Sequence, residues 1–84
     1  MIHVDMLFFS SQGMDLQGVI SDNSEIESQI RREMIRHAKQ SYFLCHSGKI
    51  GKRMLYTVGW ASELAGVLSD GEISDIPGVH IIKK

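Results

Sequence analysis

Short apolar runs and one amphipathic segment predict a domain of mixed α/β class. The first run is continuous from Met6 to Phe9 and ends at polar residues, which is typical of a strand covered on both faces in a parallel sheet. A second run at residues 41–45 predicts another strand. With a helix predicted between them, the two strands are expected to be parallel neighbours.

The segment between these strands has the signature of a helix beginning at Ser24. Ser24 and Glu27 form a Ser-x-x-Glu capping box, which satisfies the first amides of a helix. Apolar residues recur at every fourth position from there, with cations between them. A helix is therefore predicted over residues 24–39, with one buried stripe made of Ile26, Ile30, Met34 and Ala38.

The remaining chain predicts shorter elements. Residues 10–24 form a long connection, and connections of this length inside small domains are often functional. Residues 54–58, 65–68 and 79–82 favour strands, although residues 54–58 fit a helical turn equally well. Residues 69–71, Ser-Asp-Gly, predict a turn.

Composition limits the class of protein. The 84 residues, 43% apolar and 23% charged, suit one small folded domain. The chain has no apolar run long enough for a membrane span and no secretory leader pattern, so a cytoplasmic location is expected. A net charge of −1 argues against a stand-alone nucleic-acid binder. One cysteine and four scattered histidines predict neither a disulfide nor a metal site, and no cofactor is expected.

Gly13 and Asp15 form the first candidate site. They follow the first predicted strand, and ligands bind outside the carboxyl ends of strands in open parallel sheets. The alternative is that both residues only shape a turn.

A glycine-containing basic segment at residues 46–53 forms the second candidate site. It places Lys49 between Gly48 and Gly51 just after the second strand, where a cation and accessible amides suit an anion. The segment does not match a P-loop. Gly-x-x-Gly also occurs in KH domains, but there it joins two helices. A solvated basic turn is the remaining alternative.

Glu27 and Arg31 form the third candidate, on the predicted helix. Glu27 could act as a base or accept a hydroxyl group, but its place in the capping box already explains it. Arg31 lies one helical turn beyond Glu27, so the two can pair. The alternative is that Arg31 only forms part of a solvated face of the helix.

These segments together resemble the effector domain of DeoR-family bacterial transcription regulators. The family typically has a Gly-hydrophobic-Asp loop, a helix with Glu and then a basic residue followed by Met-Ile, and Asp-Ser-Ser-Lys-Phe-Gly after the next strand. The matching parts here are residues 11–22, Glu27, residues 31–35 and residues 46–53. Two positions depart from the motif: His46 replaces the usual Asp, and Gly48 replaces the second Ser.

The resemblance implies a fold similar to ribose-5-phosphate isomerase and a sensor for phosphorylated sugars or related metabolites. It places Asp15 on an isomerase-like site aspartate, Glu27 on the isomerase base and Lys49 on the lysine after the next strand. Together with Gly13 and Arg31, these residues are the expected ligand-binding set, with no catalytic residue.

The resemblance covers only the C-terminal half of the family's sensor. Residues 1–84 are therefore expected to form a single, partial effector domain without a helix-turn-helix, so DNA would be contacted only through a missing N-terminal domain. The expected function is non-enzymatic sensing. The alternatives are an interaction module that binds no metabolite and a sugar-phosphate isomerase-like enzyme. A homo-oligomer is expected because half a sheet leaves an edge or an apolar face uncovered.

Overall fold

The computed structural model describes residues 4–71, 73 and 75–83. Within these residues, seven strands form two sheets, accompanied by one α-helix. In chain order these elements are β1 (Val4–Phe9), β2 (Gly13–Met14), β3 (Val19–Asp22), α1 (Glu25–Arg36), β4 (Ala38–Cys45), β5 (Tyr56–Trp60), β6 (Gly66–Ser69) and β7 (Ile81–Lys83). Short 3₁₀ turns at Ser47–Lys49 and Ala61–Glu63 follow β4 and β5. No helix in the described part of the chain is long and apolar enough to cross a membrane.

A four-stranded parallel sheet is the centre of the fold. Its strand order is β1-β4-β6-β7, and all three pairings are parallel. Phe9 lies beside Phe43, which in turn lies beside Val67. The predicted α/β class and the parallel pairing of the first two strands are confirmed. The sheet ends at β1 and β7, so two strand edges are open among the described residues.

A second, antiparallel sheet replaces the predicted connection. Its order is β2-β3-β5, so the interpretation of residues 10–24 as a plain loop was wrong. Met14, Val19 and Ile20 are fully buried there. β5 begins at Tyr56, which also shows that the helical alternative for residues 54–58 was wrong. β3 also pairs with β5, far along the chain, and local hydrophobic periodicity carries no signal of such a pairing.

The helix begins where the sequence predicts, but it ends earlier and buries a different face. The Ser24 side chain accepts a hydrogen bond from the Glu27 amide at 3.2 Å, and the last helical residue is Arg36 rather than residue 39. Ser28 is the fully buried residue of the helix, whereas Ile26 is 70% exposed. The prediction of a buried stripe was wrong: its three residues on the helix, Ile26, Ile30 and Met34, are exposed.

Among the described residues, one face of the parallel sheet is covered, and the other is open at β1 and β4. Leu7 and Phe9 of β1 point into the core, with Phe43 and Cys45 of β4 beside them. The alternate β1 residues point to the other face, where Met6 is 51% and Phe8 is 52% exposed. The expectation that β1 is covered on both faces was therefore wrong. Exposed Val4, Met6, Phe8 and Leu44 make this second face apolar, with Phe8 stacked on Tyr42.

Candidate functional site

The loop between β2 and β3 is organised by the carboxylate of Asp15. One oxygen, Oδ1, accepts hydrogen bonds from the amides of Gln17 and Val19, both at 2.9 Å. The other oxygen, Oδ2, lies 3.7 Å from Nη1 of Arg53. The Asp15 side chain is only 16% exposed. Asp15 thus shapes its own turn, as the alternative interpretation proposed, and it keeps a second oxygen directed at a cation.

Gly13 lies where two backbone segments approach closely. A Cβ at this position would lie 2.7 Å from the carbonyl oxygen of Lys52, so any larger residue forces a shift. The next residue, Met14, bridges to Ile50, and its carbonyl accepts the Gly51 amide at 2.8 Å. These contacts hold the loop after β1 against the loop after β4, so the first two candidate sites are neighbours.

Lys49 is fixed at the carboxyl end of β1. It ends the 3₁₀ turn that follows β4, and its Nζ donates to the carbonyl oxygen of Ser11 at 3.0 Å. An ammonium group has three donors, so two more can serve a ligand. Its place just beyond a parallel strand agrees with the general location of ligand sites in such sheets.

Arg31 reaches the same segment from the helix. Its Nε donates to the carbonyl oxygen of Ser10, and its Nη1 lies 2.9 Å from Oε2 of Glu27. The pairing of Arg31 with Glu27, expected from their spacing, is confirmed. The second half of the capping box is not formed with Glu27, because the Ser24 amide donates to Oδ1 of Asp22 at 3.0 Å instead. Glu27 orients Arg31.

Ser11 and Asp22 support this arrangement, and the sequence reasoning did not single them out. Both are buried. The Ser11 hydroxyl donates to the Ser21 carbonyl and to Oδ2 of Asp22, at 2.9 and 3.1 Å. The same Asp22 oxygen lies 3.6 Å from Nη1 of Arg31. The only sequence signal was their position in the segment after the first strand, since a hydroxyl and a carboxylate eleven residues apart carry no spacing pattern.

A cleft of about 640 Å³ opens at the carboxyl ends of the parallel strands. Its polar lining residues are Ser10, His46, Lys49, Ser69 and Asp70. Nδ1 of His46 lies 3.2 Å from Oδ2 of Asp70. The sequence predicted Asp70 only as part of a turn. In the structure its carboxylate lies beside His46, which occupies the position where the related family usually has Asp.

Apolar side chains also line the cleft. Leu44, Leu68 and Ile82 line it from three successive strands of the sheet, and the register pairs Leu44 with Leu68 and Leu68 with Ile82. Ligand sites commonly combine apolar walls with a few convergent polar groups. This cleft suits a small molecule with one anionic end, hydroxyl groups and an apolar edge.

Cys45 lies in the cleft wall without the properties of a nucleophile. Its side chain is buried, and burial raises the pKa of the thiol from 9.0 to about 11, although the positive charge of Lys49 acts in the opposite direction. The thiol is therefore protonated at neutral pH. Within residues 4–71, 73 and 75–83, no group of three or more His, Cys, Asp or Glu side chains is placed to hold a metal ion.

The structure thus divides the expected site residues into two sets. Arg31 and Lys49 donate to the neighbouring carbonyls of Ser10 and Ser11, and Glu27 pairs with Arg31. Of the five expected site residues, Lys49 alone lines the cleft. Gly13 and Asp15 organise the adjoining loop, and Asp15 is paired with Arg53 rather than with Lys49.

Comparison with known proteins identifies the family that this chain resembles. A family model described as the DeoR C terminal sensor domain matches residues 1–71. An L-fucose operon activator of Haemophilus influenzae is 27% identical over 74 residues, which are 88% of this chain and 30% of the activator. L-fucose operon activators of Escherichia coli and Shigella flexneri are each 25% identical over 69 residues, 82% of this chain and 28% of theirs.

The chain therefore spans about a third of the length of the curated relatives it matches. No solved structure shows significant similarity to it. The family model covers most of the chain, including all five expected site residues and the segments that carried the resemblance. This chain belongs to the DeoR C-terminal sensor domain family.

Proposed function

We propose that this chain is the ligand-sensing part of a DeoR-type transcription regulator and binds a phosphorylated sugar or a related metabolite in the cleft. The observation that carries the proposal is the position of Lys49. Its ammonium group is fixed on the Ser11 carbonyl at 3.0 Å and borders the cleft at the carboxyl edge of the sheet. A cation held in place before binding favours an anion at that point.

The other site residues have supporting roles in this proposal. Arg31, oriented by Glu27, holds the Ser10 carbonyl and adds positive charge behind the phosphate position. Gly13 and Asp15 keep the neighbouring loop in contact with the segment after β4. The paired His46 and Asp70 face the hydroxyl groups of the ligand, and the apolar wall contacts its carbon edge.

Signalling to DNA follows from the same geometry. The ligand must bind two conformations with different affinity in order to regulate. The cleft is formed by segments that follow three strands, so a ligand that draws the Lys49 turn toward the Asp70 turn changes the relative position of those segments. In the cytoplasmic regulator, this change would alter the DNA affinity of an attached N-terminal DNA-binding domain.

Calorimetric titration tests the proposal. The chain is titrated with a panel of sugar phosphates, the corresponding unphosphorylated sugars and inorganic phosphate. Loss of one charge-assisted hydrogen bond of roughly 1.5–3 kcal/mol predicts a ten- to hundredfold weaker affinity for Lys49→Ala. Lys39→Ala is the matched control, because Lys39 is equally charged but lies near the start of β4, at the opposite end of that strand.

Equal losses in both variants would indicate diffuse electrostatic attraction instead of a site. No binding by the wild type would favour the interaction-module alternative, for which the exposed apolar sheet face is the supporting observation. The named relatives are operon activators, and we propose that this chain has no catalytic activity. Turnover of ribose 5-phosphate that disappears in Glu27→Gln would contradict this part of the proposal.

A further inference from the structure

Asp22 is a buried carboxylate that does not line the cleft, and both of its oxygens are engaged. It is the last residue of β3 and is 3% exposed. Its Oδ1 accepts the amide of Ser24 at 3.0 Å, and its Oδ2 accepts the hydroxyl of Ser11 at 3.1 Å. A carboxylate removed from water costs free energy unless it is paired and hydrogen-bonded. The neutral side chain of Asn could serve the Ser24 amide alone, so the charge of Asp22 calls for an explanation of its own.

Arg31 supplies the positive charge that this buried carboxylate needs. Its Nη1 lies 3.6 Å from Oδ2 of Asp22 and 2.9 Å from Oε2 of Glu27. The side chain of Asp22 is 4% exposed, whereas that of Glu27 is 55% exposed. Water and salt screen a buried pair much less than an exposed one. Asp22 is therefore held by Arg31 even though Glu27 is the nearer partner.

Ser11 connects this ion pair to the proposed ligand site. It is buried, and its side chain and its backbone serve different partners. Its hydroxyl lies 2.9 Å from the Ser21 carbonyl and 3.1 Å from Oδ2 of Asp22, while its own carbonyl accepts Nζ of Lys49 at 3.0 Å. Because both sets of bonds lie on one residue, the hydroxyl fixes the point at which the ammonium group of Lys49 is anchored.

We propose that Asp22 is a positioning residue of the proposed ligand site, which fixes the ammonium group of Lys49 through Ser11 before a ligand arrives. The inference rests on the proposed function, since it concerns the same cation. A flexible lysine loses conformational freedom when it binds an anion, and prior fixation removes part of that cost. The charge of Asp22 would by itself oppose an anion, but the paired Arg31 offsets it. Asp22 thus raises the affinity for a phosphate group without contacting it.

Three variants separate positioning from general stability. Asp22→Asn keeps the shape of the side chain, but its amide has one oxygen, so it loses either the Ser24 amide or the Ser11 hydroxyl as a donor. Ser11→Ala removes the hydroxyl and keeps the carbonyl that binds Lys49. Ser24→Ala is the matched control, because it removes the helix cap next to Asp22 and leaves both bonds of the Asp22 carboxylate in place.

The first experiment measures the mobility of Lys49 in the ligand-free chain. NMR relaxation of the lysine Cε groups reports side-chain order, and Lys49→Arg identifies the Lys49 signal by its loss. The Cε of Lys49 should be more ordered than that of Lys39, whose side chain is 82% exposed. Its order should fall toward the Lys39 value in Asp22→Asn and in Ser11→Ala, and it should stay unchanged in Ser24→Ala.

Unchanged Lys49 order in Asp22→Asn and Ser11→Ala would overturn the proposal, and so would an equal fall in Ser24→Ala. Circular dichroism checks that each variant keeps its fold. Ser11→Ala decides the question if Asp22→Asn does not fold.

The second experiment measures the affinity for ribose 5-phosphate and for inorganic phosphate by calorimetric titration. Asp22→Asn should bind about two- to tenfold more weakly than the wild type, which is the cost of ordering one flexible side chain. In a Lys49→Ala background the same substitution should change the affinity by less than about twofold, because the side chain that Asp22 positions is gone. Equal losses in the two backgrounds would show that Asp22 does not act through Lys49 and would overturn the proposal.

The two experiments keep this inference separate from the proposed function. A wild type that binds neither probe, with Lys49 mobility that still depends on Asp22, would contradict the proposed function and the effect on affinity but confirm the fixation of Lys49. Binding by the wild type, with Lys49 mobility that does not depend on Asp22, would overturn this inference alone.

Discussion

Replacing Asp15 tests whether its carboxylate holds the β2–β3 loop. In Asp15→Ala the amides of Gln17 and Val19 lose their acceptor, and the second of these is partly buried. At about 1 kcal/mol for each hydrogen bond, the free energy of unfolding should fall by about 2 kcal/mol. The exposed Arg53 contact at 3.7 Å adds little. For a domain of this size, the expected decrease in Tm is roughly 8–16 °C.

Asp15→Asn is the matched variant, because its amide oxygen can still accept both backbone hydrogen bonds. Its unfolding free energy should stay within about 1 kcal/mol of the wild type. Urea unfolding followed by Trp60 fluorescence measures both variants, since Trp60 pairs with Val19 at the end of this loop. Equal losses in the two variants would show that charge matters rather than the acceptor geometry. An unchanged Asp15→Ala would refute the structural role itself.

Three further results are expected from the contacts of single residues. Gly13→Ala places a Cβ 2.7 Å from the Lys52 carbonyl and should destabilise by about 1–3 kcal/mol in urea unfolding; unchanged stability would show that the two loops are not held together. Ser24→Ala should cost about 0.5–2 kcal/mol through loss of the helix cap, and Ser24→Asp should retain most of it. Burial raises the pKa of Cys45 to about 11. Between pH 9 and 11 the thiol therefore ionises in the unfolded chain before it ionises in the folded one. The Cys45 contribution to the free energy of unfolding should be fully present below pH 9 and lost as the pH rises through 11. Cys45→Ala should lack this alkaline component of a pH series of unfolding free energies, and an identical decline in both proteins would contradict the assignment.

The sequence by itself determined the elements whose signals are local. Continuous apolar runs located β1 and β4, and a Ser-x-x-Glu pattern located the start of α1 at Ser24. Four-residue spacing also predicted the ion pair between Glu27 and Arg31. Each of these depends on residues close in the chain, whose geometry is set by the period of a helix or a strand.

Tertiary structure decided everything that depends on residues far apart. The helix buries the side bearing Ser28 rather than its apolar stripe, because β3 and β5 pack against it there and Arg32 donates to the Thr57 carbonyl at 2.6 Å. The two-residue strand β2 pairs with the nearby β3, and its Met14 also forms a bridge to Ile50, far along the chain. In the cleft, His46 contacts Asp70, 24 positions further along the chain. The two residues are close because parallel strands bring their carboxyl ends to one edge of the sheet. No spacing pattern in the sequence indicates this contact.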